Sequence, residues 1–250
     1  MRSIHRLVVC VLCGAFSSGA LAGILASDNF NYTGALTDNG WAAHSGAGNK
    51  VVMADGAVAT LEQSGGSGED VNRSFAALGA ADKIYAAFDI NLPAADNADV
   101  VNVDGNGLYL AHFKDSGFAF RGRTGIVAPT GGGDFGLAIN ANSSALGSGA
   151  TWPADLSFDT WYRVVISWDA ATGASELWVN PTLETDPKIM HTGASTGDLI
   201  EAIALRQSND FTGMQKIDNI VAGNTFRDVV PEPASLMLLG LAGLGLFRRR

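Results

Sequence analysis

The side chains able to do chemistry are few and scattered. Outside the first 22 residues the chain has three histidines, His44, His112 and His191. None falls in an H-E-x-x-H run, the spacing that sets two imidazoles on one helical face to hold a metal. Cys10 and Cys13 both lie in an N-terminal apolar run, so the rest of the chain has no disulfide and no thiolate metal site. There is no G-x-S-x-G turn to present a serine nucleophile. No glycine loop is followed by Lys-Ser/Thr to cradle a phosphate, and Gly65-Gly66-Ser67-Gly68 reads as a plain loop. Retaining glycoside hydrolysis needs two carboxylates about 5 Å apart. Acids two apart on a strand share a face, but the nearest candidates, Glu176 and Glu201, have no acidic partner at that spacing. No catalytic residue is assigned and the chain reads as a non-enzyme; a carboxylate pair from different strands is the route left open to catalysis.

Binding chemistry is better represented. Asp96 to Gly107, DNADVVNVDGNG, offers Asp96, Asp99, Asn102, Asp104 and Asn106 as hard oxygen ligands for calcium. The run lacks the D-x-D-x-D-G pattern with a glutamate at position twelve. Asp-Gly and Asn-Gly are also favoured turn dipeptides, so a solvated loop between strands, with no cofactor, explains it without metal. A glycan site would want aromatic rings beside polar groups, and Trp41, Trp152 and Trp178 are the candidates, each equally suited to a core. Strict alternation places Arg121 and Arg123 away from Phe118 and Phe120, where they would meet an acidic polysaccharide or pair with local carboxylates. Residue types alone leave the ligand-binding residues unknown. Between Gly23 and Val230, 11 Lys and Arg stand against 24 Asp and Glu, a net of −13, which argues against nucleic acid as a partner.

The elements that must position these groups are strands. In KIYAAFDINL, Ile84, Ala86, Phe88, Ile90 and Leu92 alternate with Lys83, Tyr85, Asp89 and Asn91. In WYRVVISW, Tyr162, Val164, Ile166 and Trp168 form an apolar face opposite Arg163 and Ser167. Asp169 to Gly173 then makes a hairpin loop into ELWVN, with Leu177 and Val179 on one side. GLYLAHF, GFAFRGR, DFGLAIN, IEAIALRQ and QKIDNIVAG follow the same rule, separated by glycine-rich turns. Many short alternating strands predict an all-β antiparallel sandwich, one domain over residues 27–229.

The two ends read as addresses. Arg2 and Arg6 precede a ten-residue apolar run, Leu7 to Phe16, and then a small-residue zone containing Ala20-Leu21-Ala22. This is the order of a secretory signal peptide (residues 1–22), cleaved by signal peptidase after Ala22, with Ala26 the alternative. At the other end, VPEPASLMLLGLAGLGLFRRR (Val230 to Arg250) places 14 apolar or small residues, Ala234 to Phe247, before three arginines. As a helix these span about 21 Å, short of the roughly 20 residues of a full membrane span. The arginines suit a cytoplasmic face.

Pro231-Glu232-Pro233, then a Leu/Gly helix, then a terminal basic cluster together resemble the PEP-CTERM sorting signal of Gram-negative bacteria (residues 230–250). The resemblance implies transient insertion in the inner membrane, processing by an exosortase near Pro231, Glu232 and Pro233, and delivery to the cell surface or extracellular matrix. IYAAFDINL, FAFRGR, WYRVVISWDAATGASELWVNP, IALRQSN and KIDNIVAGNTFRDV, in that order, resemble concanavalin A-like, laminin G-like jelly rolls. That likeness implies two curved antiparallel sheets and no single activity. The expected function is a non-catalytic exopolysaccharide-binding or adhesion module; the alternatives are a structural component of the surface or biofilm and, third, a glycoside hydrolase.

Overall fold

The computed structural model describes residues 23–63, 68–97, 106–193, 195–207 and 213–231. The expected signal helix and C-terminal membrane helix lie outside them. The strands are β1 (Ile24–Asp28), β2 (Thr33–Ala35), β3 (Ala42–Ser45), β4 (Met53–Asp55), β5 (Ala59–Glu62), β6 (Asp70–Ser74), β7 (Lys83–Asn91) and β8 (Leu108–Lys114). They continue with β9 (Phe120–Val127), β10 (Gly136–Asn140), β11 (Ala150–Thr151), β12 (Tyr162–Asp169), β13 (Ala174–Val179), β14 (Ile189–Thr192), β15 (Ala202–Leu205) and β16 (Met214–Gly223), and a four-residue helix, α1 (Phe226–Val229), closes the series.

Among the described residues these strands form two antiparallel sheets. One has nine strands in the order β14-β13-β12-β7-β16-β5-β4-β2, with β1 also paired to β16; the other has seven in the order β11-β10-β9-β8-β15-β6-β3. The sheets pack face to face. Ile84, Ala86, Phe88, Ile90 and Leu92 all enter the core, as do Val164, Ile166, Trp168 and Leu177. Opposite them lie Leu110, Phe113, Ile126, Leu137, Ile139, Ile203 and Leu205. Each large side chain so buried contributes about 1.5–3 kcal/mol. The all-β sandwich expected from alternation is the observed fold. The β12–β13 hairpin is also as expected: Asp169 Oδ1 accepts from the N–H of Ala171 and Thr172, and Gly173 takes the left-handed φ of +69° that ends the loop.

The outer face of the nine-stranded sheet departs from the expectation of a polar surface. Tyr85, Ala87, Val165 and Trp178 are buried there against Phe226 and Val229 of α1. Alternation identifies which residues leave the core, but not that the chain returns to cover them. Trp178 packs edge-on to Phe226 at 5.4 Å between ring centroids, and its Nε1–H donates to the Glu184 carbonyl at 3.2 Å. Arg163, bonded to Asp89 at 3.2 Å, also donates to the Val229 carbonyl at 3.1 Å, which fastens the end of the helix to the sheet. β1 begins at Ile24, ahead of the expected start of the body, and pairs with the last half of β16.

Truncating Phe226 to alanine removes the lid of this outer cluster, so the variant is expected to lose about 3–5 kcal/mol of stability. Equilibrium denaturant unfolding measures this; a loss within experimental error of zero would show that α1 is not docked.

Candidate functional site

The outer face of the seven-stranded sheet is built differently, because its strands break step. Between Ala111↔Thr124 and Phe113↔Arg121 the β8–β9 register shifts by one residue. The extra residue is Gly122, at φ +59°, a left-handed position that glycine adopts without strain. A second shift, between Tyr109 and Ala111, falls on the β8 side. The result is that Phe120 and Arg123, three apart, lie on one face, with the Arg123 guanidinium 5.3 Å from the Phe120 ring centroid. Arg121 turns the other way. It lies 5.8 Å from the core ring of Trp168 and is bonded to Asp198 at 2.7 Å, to Asn142 and to Ser195. Strict alternation, which put both arginines together and away from Phe120, is corrected by this single glycine.

Tyr109 and His112 of β8 share the face with Phe120 and Arg123. Arg206, one residue past β15, follows Ala202 and Ala204 on the outward side and rests 4.2 Å from the Tyr109 ring centroid, while Arg123 lies 5.3 Å from the same ring. His112 packs on Phe120 at 4.5 Å, and Phe118, 83% exposed, stands edge-on to Phe120 at 6.3 Å. From the far edge, His44 of β3 reaches 5.9 Å from both His112 and Phe120. β3 and β9 are four strands apart, about 19 Å on a flat sheet. Rings rooted that far apart meet only because the sheet bends toward this side, over the small Ala204 and the Asn72 amide. The face is concave.

Among the described residues several polar atoms in this hollow have no hydrogen-bond partner. His112 is fully buried; its Nδ1–H donates to the Phe113 carbonyl at 3.1 Å, since a carbonyl only accepts. The neutral ring therefore presents Nε2 as a lone-pair acceptor, and that atom makes no hydrogen bond. Both ring nitrogens of His44 and the Nε of Arg123 are likewise buried without a well-formed hydrogen bond among the described residues, with Asn72 and Tyr109 the nearest polar side chains. Buried polar atoms left unpaired cost about 1–3 kcal/mol each, so their concentration at one place marks a site. Burial pushes the His112 imidazole down to about 3, and burial outweighs the nearby Asp70 to lower His44 as well.

The other candidates fall elsewhere. Trp41 is buried, stacked on Phe30 at 6.2 Å, with its Nε1–H donated to Asp28 Oδ2 at 2.7 Å. Trp178 lies beneath α1, and Trp152 packs half-buried against the core, so none of the three tryptophans reaches the concave face. His191 Nδ1 accepts from the Ala141 N–H, tying β14 across to the other sheet. Glu176 is held by Lys83 and Lys188, which lower its carboxyl against the effect of burial. Glu201 precedes β15. Of the calcium candidates, Asp96 ends a short 3-10 turn (Ala94–Asp96) and Asn106 precedes β8, while Asp99, Asn102 and Asp104 lie outside the described residues. Among the described residues no three acids, histidines or cysteines gather as a metal site.

Two carboxylates do meet from different strands. Asp89 of β7 and Asp218 of β16 are direct cross-strand partners, bridged by the Asn219 amide at 2.9 and 3.1 Å. Burial first, and then Asp89, raise the Asp218 carboxyl. Asp89 is engaged by Arg163 and Asn219 together, so the pair acts as a clamp on the bulge of β16.

Tyr109, Phe120 and Arg206 were not singled out from the sequence. Arg206 was legible as the next outward position after Ala202 and Ala204. The other two depended on the bulges.

The chain ends in a sorting signal: residues 229–250 match the PEP-CTERM protein-sorting motif, which implies export to the cell surface with processing by exosortase. α1 runs into this motif, and Pro231 is the exposed residue that follows the docked segment; Glu232 and Pro233, with the signal-cleavage residues Ala20 and Ala22, lie outside the described residues. The body is a two-sheet antiparallel β-sandwich. It is similar to a sialidase (15% identity, 82% of this chain, TM-score 0.53), of which it spans 19%. It is also similar to an alginate lyase solved with an alginate tetrasaccharide (14% identity, 80% of this chain and 96% of that one, TM-score 0.53). A basic winged bean lectin aligns over 79% of this chain and 97% of its own at 13% identity and a TM-score of 0.47. No curated protein matches the chain significantly in sequence.

The folded state takes up the His112 proton only near 3, the unfolded chain near 6.5, so stability falls as the pH drops below about 6.5. Histidine side-chain NMR is expected to show His112 neutral and protonated at Nδ1, without titration, from about pH 8 to pH 5. A titration midpoint inside that range would refute the burial described here.

Proposed function

We propose that this is an exported surface or matrix module that binds extracellular polysaccharide on the concave face of its seven-stranded sheet, without catalysing a reaction. The observation that carries the reading is the group of aromatic rings and guanidinium groups over unsatisfied imidazole nitrogens in that hollow. Sugar rings present apolar C–H faces and hydroxyls that donate and accept at once, which suits both the rings and the orphaned nitrogens. The solved structures of similar fold include a lyase holding an alginate tetrasaccharide, which supports the reading that a sandwich of this kind can hold a glycan.

The non-catalytic reading is supported by the state of the carboxylates. Glu176 is neutralised by two lysines, and Asp89 and Asp218 are clamped by Asn219 and Arg163. Export in this proposal follows signal peptidase cleavage after Ala22, which leaves β1 whole; cleavage after Ala26 would remove three of its five residues. The tail then inserts transiently in the inner membrane of a Gram-negative bacterium, and exosortase acts at Pro231, Glu232 and Pro233. Calcium is not required for binding.

Purified protein incubated with exopolysaccharide from the source organism is expected to be retained equally with calcium and with chelator, and to release no new sugar ends. Phe118→Ala, on an exposed ring whose loss leaves the fold intact, is expected to weaken retention about tenfold. Absence of binding by folded protein would leave a structural surface component as the reading. Cleavage of the polymer would make the protein an enzyme, and loss of binding with chelator would implicate the Asp96 to Asn106 segment.

A further inference from the structure

The charge around the concave face specifies more than a glycan. The body carries a net of −13, and three of its arginines are matched to acids: Arg73 to Asp28, Arg121 to Asp198, Arg163 to Asp89. Arg123 and Arg206 differ. Among the described residues neither has a carboxylate partner, although both lie over one ring, Tyr109, at 5.3 and 4.2 Å. Arg123 is steadied by donating to the Asn142 carbonyl, a neutral group that leaves its charge in place. Lys114, on the same strand as His112, donates to the Asp115 carbonyl rather than to an acid. Asp70 lies toward His44 and is occupied by Ser45 Oγ–H at 2.7 Å and the Gln207 N–H at 2.8 Å.

Two cations gathered on one aromatic ring repel each other, and the ring offsets only part of that cost. In a chain so rich in acids, the lack of a carboxylate partner for either among the described residues leaves their charge for an external one. A guanidinium presents parallel N–H donors that match a planar carboxylate at two points. Beside the pair stand the exposed Phe118 and half-buried Phe120, and beneath lies the bare Nε2 of His112, an acceptor for a hydroxyl.

We infer that the concave face recognises a polyuronate, a glycan whose sugars carry carboxylates, with one carboxylate seated between Arg123 and Arg206 above Tyr109 and the sugar face turned to Phe118 and Phe120. This inference rests on the glycan-binding reading above and narrows it to a charged class.

The test is titration calorimetry of the purified protein with polygalacturonate, polyguluronate and polyglucuronate, each beside its carboxyl-reduced form, in which a neutral hydroxymethyl replaces the acid. Binding of at least one polyuronate, with affinity lost about tenfold or more on reduction, is the expected result. Arg206→Gln and Arg123→Gln should each weaken that binding about tenfold, and Arg206→Lys should restore part of it because charge is retained. Melting temperature and near-ultraviolet circular dichroism confirm that each variant is folded; a misfolded variant leaves the comparison of native and reduced polymers to decide. Equal binding of acid and reduced forms overturns the polyuronate inference while the glycan module stands. Binding of acid forms undiminished in both glutamine variants also overturns it. Failure to bind these polymers together with failure on the native exopolysaccharide overturns both.

Discussion

The apolar seam between the two sheets is the constraint on which everything else rests. With no cysteine beyond the first 22 residues, no covalent staple holds the body. Order comes from alternate residues of β7, β12, β8, β10 and β15 meeting across the sandwich. Trp168, Phe88 and Phe113 are among the large side chains wholly withdrawn from water. Because the strand period is two, each residue given to this seam sends its neighbour outward. The chemistry of both outer surfaces is therefore a by-product of how the core is filled.

Two of the places that escape that period are controlled by local backbone conformation. At Gly122 the left-handed residue inserts one position into β9, turning Arg121 toward Trp168 and Asp198 while carrying Arg123 onto the side of Phe120. A Cβ at Gly122 would stand 3.2 Å from the Phe113 ring and 3.3 Å from Ser175 Oγ, so a side chain meets crowding as well as an unfavourable φ. In β16 the shift between Asp218 and Val221 includes Asn219 at φ +50°, and its amide donates to two opposed carboxylates and bridges them. One bulge assembles a candidate site. The other manages an electrostatic conflict.

The two outer faces then have opposite fates. On the nine-stranded sheet, Tyr85 and Trp178 are closed over by Phe226 and Val229, just ahead of the sorting motif, and Arg163 bonds the last carbonyl of that helix. On the seven-stranded sheet, the rings and guanidinium groups remain at the surface of a hollow, with nitrogens beneath them that no described residue satisfies. A molecule exported to the cell surface thus has one face closed by its own chain and, on the other, a hollow lined by rings and guanidinium groups.

Local pattern determined a great deal by itself. The period of KIYAAFDINL and WYRVVISW set which residues face the core, Asp169 to Gly173 set the hairpin, and the Pro-Glu-Pro, apolar and basic order of the tail set its identity as a sorting signal. These are properties of short windows, where steric alternation and turn chemistry act without distant partners. What lay beyond reach needed contacts between residues remote in the chain. Trp178 looked outward until α1, 48 residues on, was placed above it. His44, His112 and Arg206 are scattered in sequence and meet only because β3, β8 and β15 belong to one bent sheet. A window of sequence records which face a side chain takes; only the folded sheet, through its order, its bulges and its curvature, decides which side chains share that face.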